Sequence, residues 1–232
     1  MAADLEAAEE ARRRLFQDAA HELKTPLAVI EATTTAVIDG VYAHEDRHLE
    51  TVRDQARLLS RIVDDLRTVS LAEAGVLPLR RQALGVAPLL ESVARDMGAR
   101  VGDAGVSIAI EGGPGLAVHG DPDRVRQVLM ALVDNAIRHT PAGGRVRLEA
   151  RDTGHGRIVI AVADTGPGIA EADLPHVFER FYQADPARDR ASATSGLGLA
   201  IVRALVEAHG GHVRAANEAA GGARFEVELP AA

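Results

Sequence analysis

Apolar residues recur every three or four positions through the first third of the chain, in two separate stripes. The first stripe contains Leu15, Ala19, Leu23, Leu27, Ile30, Thr34 and Val37, and the second contains Leu49, Val52, Ala56, Leu59, Val63 and Leu66. This spacing is typical of helices that bury one face. Asp39 and Gly40 end the first helix, and Asp46 lies in a suitable N-cap region for the second. The pattern therefore predicts an antiparallel helical hairpin.

A hairpin of two helices with one apolar stripe each cannot close a core well by itself. Pairing with a second copy would bury both stripes in a four-helix bundle. We therefore expect this segment to form a homodimer.

Beyond Gly75, glycine is frequent and short apolar runs alternate with helical periodicity. Helices are predicted near 86–101, 121–139 and 197–209, and strands near 106–110, 115–119, 145–151, 157–163, 212–217 and 223–229. Because strands and helices do not alternate strictly, their order favours a layered α/β sandwich over a doubly wound sheet. Residues 184–195 lack periodicity and predict a loop. We place the domain boundary between residues 74 and 75.

The composition of the 232 residues excludes several classes of function. The formal net charge of −8 argues against a nucleic-acid surface, which requires a basic face. The absence of cysteine excludes disulfides and thiolate chemistry. No apolar run approaches the roughly 20 residues that span a bilayer, and the acidic, alanine-rich start is unlike a signal peptide. We expect no nucleic-acid partner and no membrane contact by this segment.

His21 lies in the stretch His-Glu-Leu-Lys-Thr-Pro on the first predicted helix. At about 100° per residue it points away from the apolar stripe, which leaves either a reactive histidine or a solvated surface residue. Glu22 could accept the proton of one ring nitrogen, and Thr25, one turn further on, could orient a water. A zinc-protease motif would need histidine at position 25, so that alternative is excluded.

Two polar positions in the second segment suit a metal and a nucleotide. Asn135 offers an uncharged amide oxygen, which suits Mg²⁺ that already holds phosphate oxygens; a buried structural asparagine is the alternative. Asp164 follows a predicted strand and could accept a hydrogen bond from an exocyclic amine such as that of adenine. Gly166 and Gly168 would let the backbone approach a flat ring closely. Taken alone, this Asp-x-Gly-x-Gly pattern also occurs in many ordinary turns.

Two further motifs follow in the second segment. The stretch Phe-Glu-Arg-Phe-Tyr at 178–182 places Arg180 where it could reach a phosphate, and it could also anchor the loop behind it. Gly196, Leu197 and Gly198 open the last predicted helix, whose free N–H groups could bind an anion. This glycine pair is not a Walker loop, because no lysine follows it, nor a dinucleotide fingerprint, because no strand leads into it.

The ordered set of motifs resembles the histidine kinase family from about Phe16 to Leu229. Residues 1–74 resemble its dimerisation and histidine phosphotransfer domain. Residues 75–232 resemble its catalytic ATP-binding domain, the α/β sandwich (Bergerat or GHKL fold) shared with gyrase, Hsp90 and MutL proteins. The resemblance implies that His21 is the phosphoacceptor, Glu22 its base and Thr25 the residue that supports dephosphorylation of the partner.

In the second segment, the resemblance implies a site for ATP and Mg²⁺. Asn135 corresponds to the magnesium ligand, Asp164 to the adenine contact, and Arg138 and His139 to contacts with phosphate or the nucleoside. The remaining candidate nucleotide-binding residues are Gly166, Gly168, Arg180, Gly196, Leu197 and Gly198. Ala131 is a departure, because the family often has asparagine there, and magnesium and phosphate binding then depend more on Asn135.

The resemblance also implies a reaction and its partners. ATP would phosphorylate His21, and the phosphoryl group would pass to an aspartate of a response regulator receiver domain. The chain would be the cytoplasmic portion of a longer sensor, with or without a membrane anchor. Two alternatives stay open. An ATPase or serine kinase of the same nucleotide-binding fold leaves His21 without a purpose, and a non-catalytic nucleotide-binding scaffold has only Ala131 in its favour.

Overall fold

The computed structural model describes residues 2–41, 46–183 and 196–232. The loop predicted at 184–195 therefore lies outside the described residues. Within the described ranges, no helix combines the length and the apolar composition needed to cross a membrane.

Two long helices precede a mixed α/β domain. α1 spans Ala2–Ile38, α2 spans Asp46–Glu73, and the two pack against each other, which confirms the predicted hairpin. The second domain contains β1 (Gln82–Gly85), α3 (Val86–Asp96), α4 (Gly98–Ala104), β2 (Ser107–Gly112), β3 (Ala117–Gly120), α5 (Pro122–His139), β4 (Arg145–Asp152), β5 (Arg157–Asp164), α6 (Gly198–Ala208), β6 (His212–Asn217) and β7 (Ala223–Pro230).

These elements lie close to their predicted positions, with two differences. The helix predicted at 86–101 is two helices, because the chain turns at Met97 and Gly98, where glycine lowers helix propensity. β1 has only four residues and is mostly exposed, so its sequence carries no alternating pattern that predicts a strand. These residues form a strand because they pair with β3, which is distant in the sequence.

The main sheet has five strands in the order β2-β4-β5-β7-β6. β2 pairs with β4 in parallel, and the other neighbours are antiparallel. Helices α3, α5 and α6 pack on one face of this sheet and bury alternate residues of its strands. The two-layer arrangement confirms the predicted α/β sandwich. The buried residues of β7 are Ala223, Phe225, Val227 and Leu229.

The other face of the sheet is covered by charged side chains that pair across the strands. Arg224 of β7 pairs with Glu149 of β4 at 2.8 Å and with Glu226 at 2.9 Å. Small residues of the central strand β5, such as Ala161 and Ala163, are buried although they face this side. The aliphatic parts of long charged side chains can cover such positions while their charged ends stay in water.

Helix α2 contacts both α1 and α6, so it joins the two domains. Ile62 and Val69 are its most buried apolar residues, and they belong to the same cluster as the core of the α/β domain. Neither lies in the stripe predicted for α2, of which Val63 is 53% exposed. The sequence pattern did not predict the burial of Ile62 and Val69, because a helix that packs on two sides buries residues outside a single apolar face.

Candidate functional site

His21 lies on the exposed side of α1. The helix continues through Pro26 to Ile38, with Ala19 and Pro26 buried and His21 and Thr25 exposed. Glu22 is half-buried and interacts with another residue of the protein. The predicted orientation of His21 away from the buried face therefore agrees with the structure.

The last turns of α5 carry three of the candidate residues. Asn135 is half-buried, and its amide makes no hydrogen bond to another described residue. Arg138 is exposed, and its Nη2 donates to Asp134 Oδ2 at 2.7 Å. Asp134 also forms an ion pair with Arg100 of α4. The amide of Asn135 is thus available to a ligand, while Arg138 is held by a carboxylate one turn earlier.

Asp164 ends β5 and is 5% exposed. Its Oδ1 accepts hydrogen bonds from the backbone N–H of Gly166 at 2.8 Å and of Ala223 at 3.2 Å. No described residue donates to Oδ2. Two backbone donors on one oxygen fix the orientation of the carboxylate, so the second oxygen is an acceptor with a defined direction.

Gly166 brings the turn after β5 against the end of α5. A Cβ atom at this position would lie 2.5 Å from the carbonyl oxygen of His139 and 2.8 Å from Asp164 Oδ1. Only glycine permits this approach. The structure thereby brings His139 close to Asp164 and Gly166, although the end of α5 and this turn are distant in sequence.

Asn217, which sequence reasoning missed, fixes the next part of this turn. Its Oδ1 accepts from Ile169 N at 2.8 Å and its Nδ2 donates to Ile169 O at 2.6 Å. A Cβ at Gly168 would lie 2.8 Å from the same Oδ1. Asn217 ends β6 with no motif around it, so the sequence carries no signal for this contact.

The segment 171–182 is a series of turns that side chains hold in place. Phe178 packs edge-on against Phe225 of β7, with ring centroids 6.1 Å apart. Tyr182 donates its hydroxyl to Asp173 Oδ1 at 2.7 Å. These contacts agree with the role of this segment as a hydrophobic anchor. They also fix the backbone that carries Arg180.

Phe181 and Gly196 connect this segment to the start of α6. Phe181 N donates to Gly196 O at 3.0 Å, and Phe181 adopts φ 59°, a conformation that costs a bulky residue energy. A Cβ at Gly196 would lie 2.7 Å from Phe181 Cα, so only glycine fits. Leu197 is fully buried, and Gly198 is the first residue of α6. These contacts fix the position of Gly196 and Leu197 at the start of α6.

Arg180 forms an ion pair with Glu73, the last residue of α2. Burial lowers the pKa of Arg180 from its ordinary value. The structure therefore places this candidate phosphate contact against a carboxylate of the helical hairpin, a partner that the sequence does not predict.

Two families match the chain. Residues 120–232 match the histidine kinase-, DNA gyrase B-, and HSP90-like ATPase family, and residues 11–75 match the His Kinase A (phospho-acceptor) domain. The chain is 35% identical over 232 residues to the signal transduction histidine-protein kinase BaeS of Escherichia coli (strain K12), which covers 99% of this chain and 49% of BaeS. It spans about half of the length of the curated relatives that it matches first.

Two solved structures are similar to the whole arrangement. The Acinetobacter baumannii histidine kinase AdeS has a TM-score of 0.76 and 30% identity, over 90% of this chain and 97% of that one. Full-length ShkA in complex with AMPPNP has a TM-score of 0.70 and 30% identity, over 95% of this chain and 46% of that one.

Proposed function

This chain belongs to the histidine kinase family, and from that membership we propose that it transfers the γ-phosphoryl group of ATP to its own His21. The observation that carries the proposal is the exposure of His21 and Thr25 on α1, beside the buried Ala19 and Pro26. The hairpin does not need this ring for packing, so the ring is open to a substrate held by the other domain. Residues 1–74 form the phosphoacceptor domain and residues 75–232 the ATP-binding domain.

ATP binds at the cleft between the end of α5 and the turn after β5. The Oδ2 atom of Asp164 accepts a hydrogen bond from the adenine amine, since backbone donors hold Oδ1. Arg138 and His139, exposed at the end of α5, contact the phosphates or the nucleoside. Gly166 and Gly168 allow the close packing that positions this turn beside the nucleotide, and Gly196, Leu197 and Gly198 present the N-terminal N–H groups of α6.

Asn135 fits a magnesium ligand, because its half-buried amide has no other partner among the described residues. Bound Mg²⁺ would neutralise part of the charge on the phosphates. No described cluster of three or more His, Cys, Asp and Glu could hold a metal. Asn135 together with phosphate oxygens and water needs no such cluster, and Ala131 offers no second amide.

Phosphoryl transfer requires the unprotonated ring nitrogen of His21 to lie in line with the γ-phosphate. A nitrogen–phosphorus bond forms as the bond from γ-phosphorus to the bridging oxygen breaks, and ADP leaves with the electron pair. Glu22 accepts a hydrogen bond from the other ring nitrogen and thereby stabilises the positive charge that develops on the ring.

The phosphoryl group then passes to an aspartate of a response regulator receiver domain that binds the hairpin. Thr25, exposed one turn from His21, orients the water that later dephosphorylates this partner. The hairpin binds a second copy of the chain through the apolar residues that it leaves exposed, among them Leu27 and Val63.

Incubation with γ-labelled ATP and Mg²⁺, followed by mapping of the labelled residue, tests this function. The label should be on His21 and should be lost in acid. His21→Gln should abolish labelling and keep ATP binding, while His155→Gln, which changes an exposed loop histidine, should label normally. An acid-stable label on serine would instead support the serine kinase alternative, and ATP binding without any label would support the scaffold.

A further inference from the structure

The ion pair between Glu73 and Arg180 joins the two domains. Glu73 is the last residue of α2, and Arg180 belongs to the turn segment that leads to the glycine motif. Their side chains are 50% and 23% exposed, so the arginine is the more enclosed partner.

Glu73 occupies a position that its own helix disfavours. The C-terminal end of a helix carries partial negative charge, and the last turn of α2 has no basic residue to compensate a carboxylate there. The compensating charge comes instead from Arg180 of the other domain. A residue that breaks a local rule and is compensated only across a domain boundary often serves function rather than helix stability.

Arg180 is next in sequence to a residue that contacts the glycine motif. Arg180 precedes Phe181, whose N–H donates to Gly196 O at 3.0 Å, and Phe181 is held at φ 59°. The same end of α2 buries Val69 in the cluster that contains the apolar residues of α6. The last turns of α2 thus contact the ATP-binding domain through both the ion pair with Arg180 and apolar packing.

We propose that Glu73 competes with the phosphates of the nucleotide for Arg180, so that nucleotide binding and docking of α2 on the ATP-binding domain oppose each other. The proposal rests on the proposed function, with Arg180 as the phosphate contact that its motif predicts. A guanidinium holds its donors in a fixed plane, so a phosphate that takes the donors now facing Glu73 would displace the carboxylate. The triphosphate carries more negative charge than Glu73, so bound nucleotide displaces the carboxylate and frees the end of α2.

Binding of AMPPNP with Mg²⁺ to the full chain tests the competition. Glu73→Gln should tighten binding by about two- to fivefold at low salt, the range of a partly exposed ion pair, and the gain should shrink as salt is added. Arg180→Gln should weaken binding. Adding Glu73→Gln to Arg180→Gln should then change nothing further, because the competition needs both side chains. Glu50→Gln, the same change near the other end of α2, is the matched control and should bind as the unaltered chain does.

Hydrogen exchange gives the reciprocal readout, since coupling between two equilibria acts in both directions. AMPPNP should increase exchange of the backbone amides at 68–73 in the unaltered chain and change it little in Glu73→Gln. Equal affinities of Glu73→Gln and Glu50→Gln, or unchanged exchange at 68–73 on nucleotide binding, would overturn the inference. Absence of a label on His21 would sink the proposed function and leave this competition intact, because neither readout depends on phosphoryl transfer.

Discussion

His209 Nε2 accepts a hydrogen bond from the backbone N–H of Asp121 at 3.0 Å, and so joins the end of α6 to the start of α5. Its Nδ1 lies 2.7 Å from Leu205 O, which requires a proton on Nδ1 and a lone pair on Nε2. Asp121 caps α5 and accepts from Arg80 N at 2.7 Å through Oδ2. One neutral, buried imidazole therefore connects the end of α6 to the start of α5, whose cap Asp121 also binds the chain that leaves the hairpin.

His209→Leu should destabilise the ATP-binding domain by about 2 kcal/mol, because the Asp121 N–H would stay buried without an acceptor. Burial lowers the pKa of His209 from 6.5, so below pH 6.5 the unfolded chain binds a proton that the folded chain resists. The histidine's share of stability is therefore complete above pH 6.5 and falls as the pH drops below it.

Urea unfolding at pH 7.5 and pH 5.5 checks both statements. The difference in unfolding free energy between the unaltered chain and His209→Leu should be larger at pH 7.5. His155→Leu, which changes an exposed histidine, should match the unaltered chain at both pH values. If His209→Leu lowered the unfolding free energy equally at the two pH values, the stabilising role of the neutral ring would be contradicted.

The helices and the candidate site motifs of this protein can be recognised in the sequence, because both depend on residues that are close together in the chain. The periodicity locates α1, α2, α5 and α6, and the motif around Asp164 identifies a carboxylate that the structure holds by two backbone donors.

Contacts between distant residues escape such reasoning. Asn217 fixes Ile169, 48 residues earlier, and His209 receives the N–H of Asp121, 88 residues earlier. Each of these contacts depends on how the helices and strands pack against each other, and no periodic pattern in the sequence indicates it. The burial of Ile62 on α2 escaped for the same reason, since it depends on packing against a second domain.

Gly166→Ala should weaken nucleotide binding by at least about tenfold. The new methyl group would lie 2.5 Å from His139 O and 2.8 Å from Asp164 Oδ1, so either the end of α5 or the carboxylate must move. Calorimetric titration with AMPPNP and Mg²⁺ checks this. Gly102→Ala, in α4 with open space around its Cβ, is the matched control and should bind normally. Normal affinity of Gly166→Ala would place the nucleotide elsewhere.

Asp65→Asn should stabilise the folded chain at pH 7.5. Burial raises the pKa of Asp65 to about 6, against a lowering by Arg61 and a further rise from Asp64. The folded state therefore binds the proton more strongly than the unfolded state, so stability rises as the pH falls through 6 and the ionised group costs energy above it. Because the site is partly exposed, solvent screening reduces the expected gain to about 1 kcal/mol.

Thermal unfolding of Asp65→Asn relative to the unaltered chain gives the measurement. The gain should be largest at pH 7.5 and smaller at pH 5, where the folded chain holds the proton and the unfolded chain does not. Asp54→Asn, which changes an exposed carboxylate on the same helix, is the matched control. A gain of the same size at both pH values would point to packing rather than charge.

Val63→Glu should weaken dimerisation by at least about tenfold. Val63 is 53% exposed and Leu27 47% exposed, although both lie in the apolar stripes of the hairpin. A second copy would bury these residues, and two-fold symmetry would place two unpaired glutamates in the same interface. Sedimentation equilibrium over a range of concentrations measures the effect. Val76→Glu introduces the same charge at a 62% exposed valine after α2 and should leave the dimer intact. If both variants dimerise like the unaltered chain, the hairpin stripes are not the interface, and the exposed valine of α2 faces solvent in the dimer too.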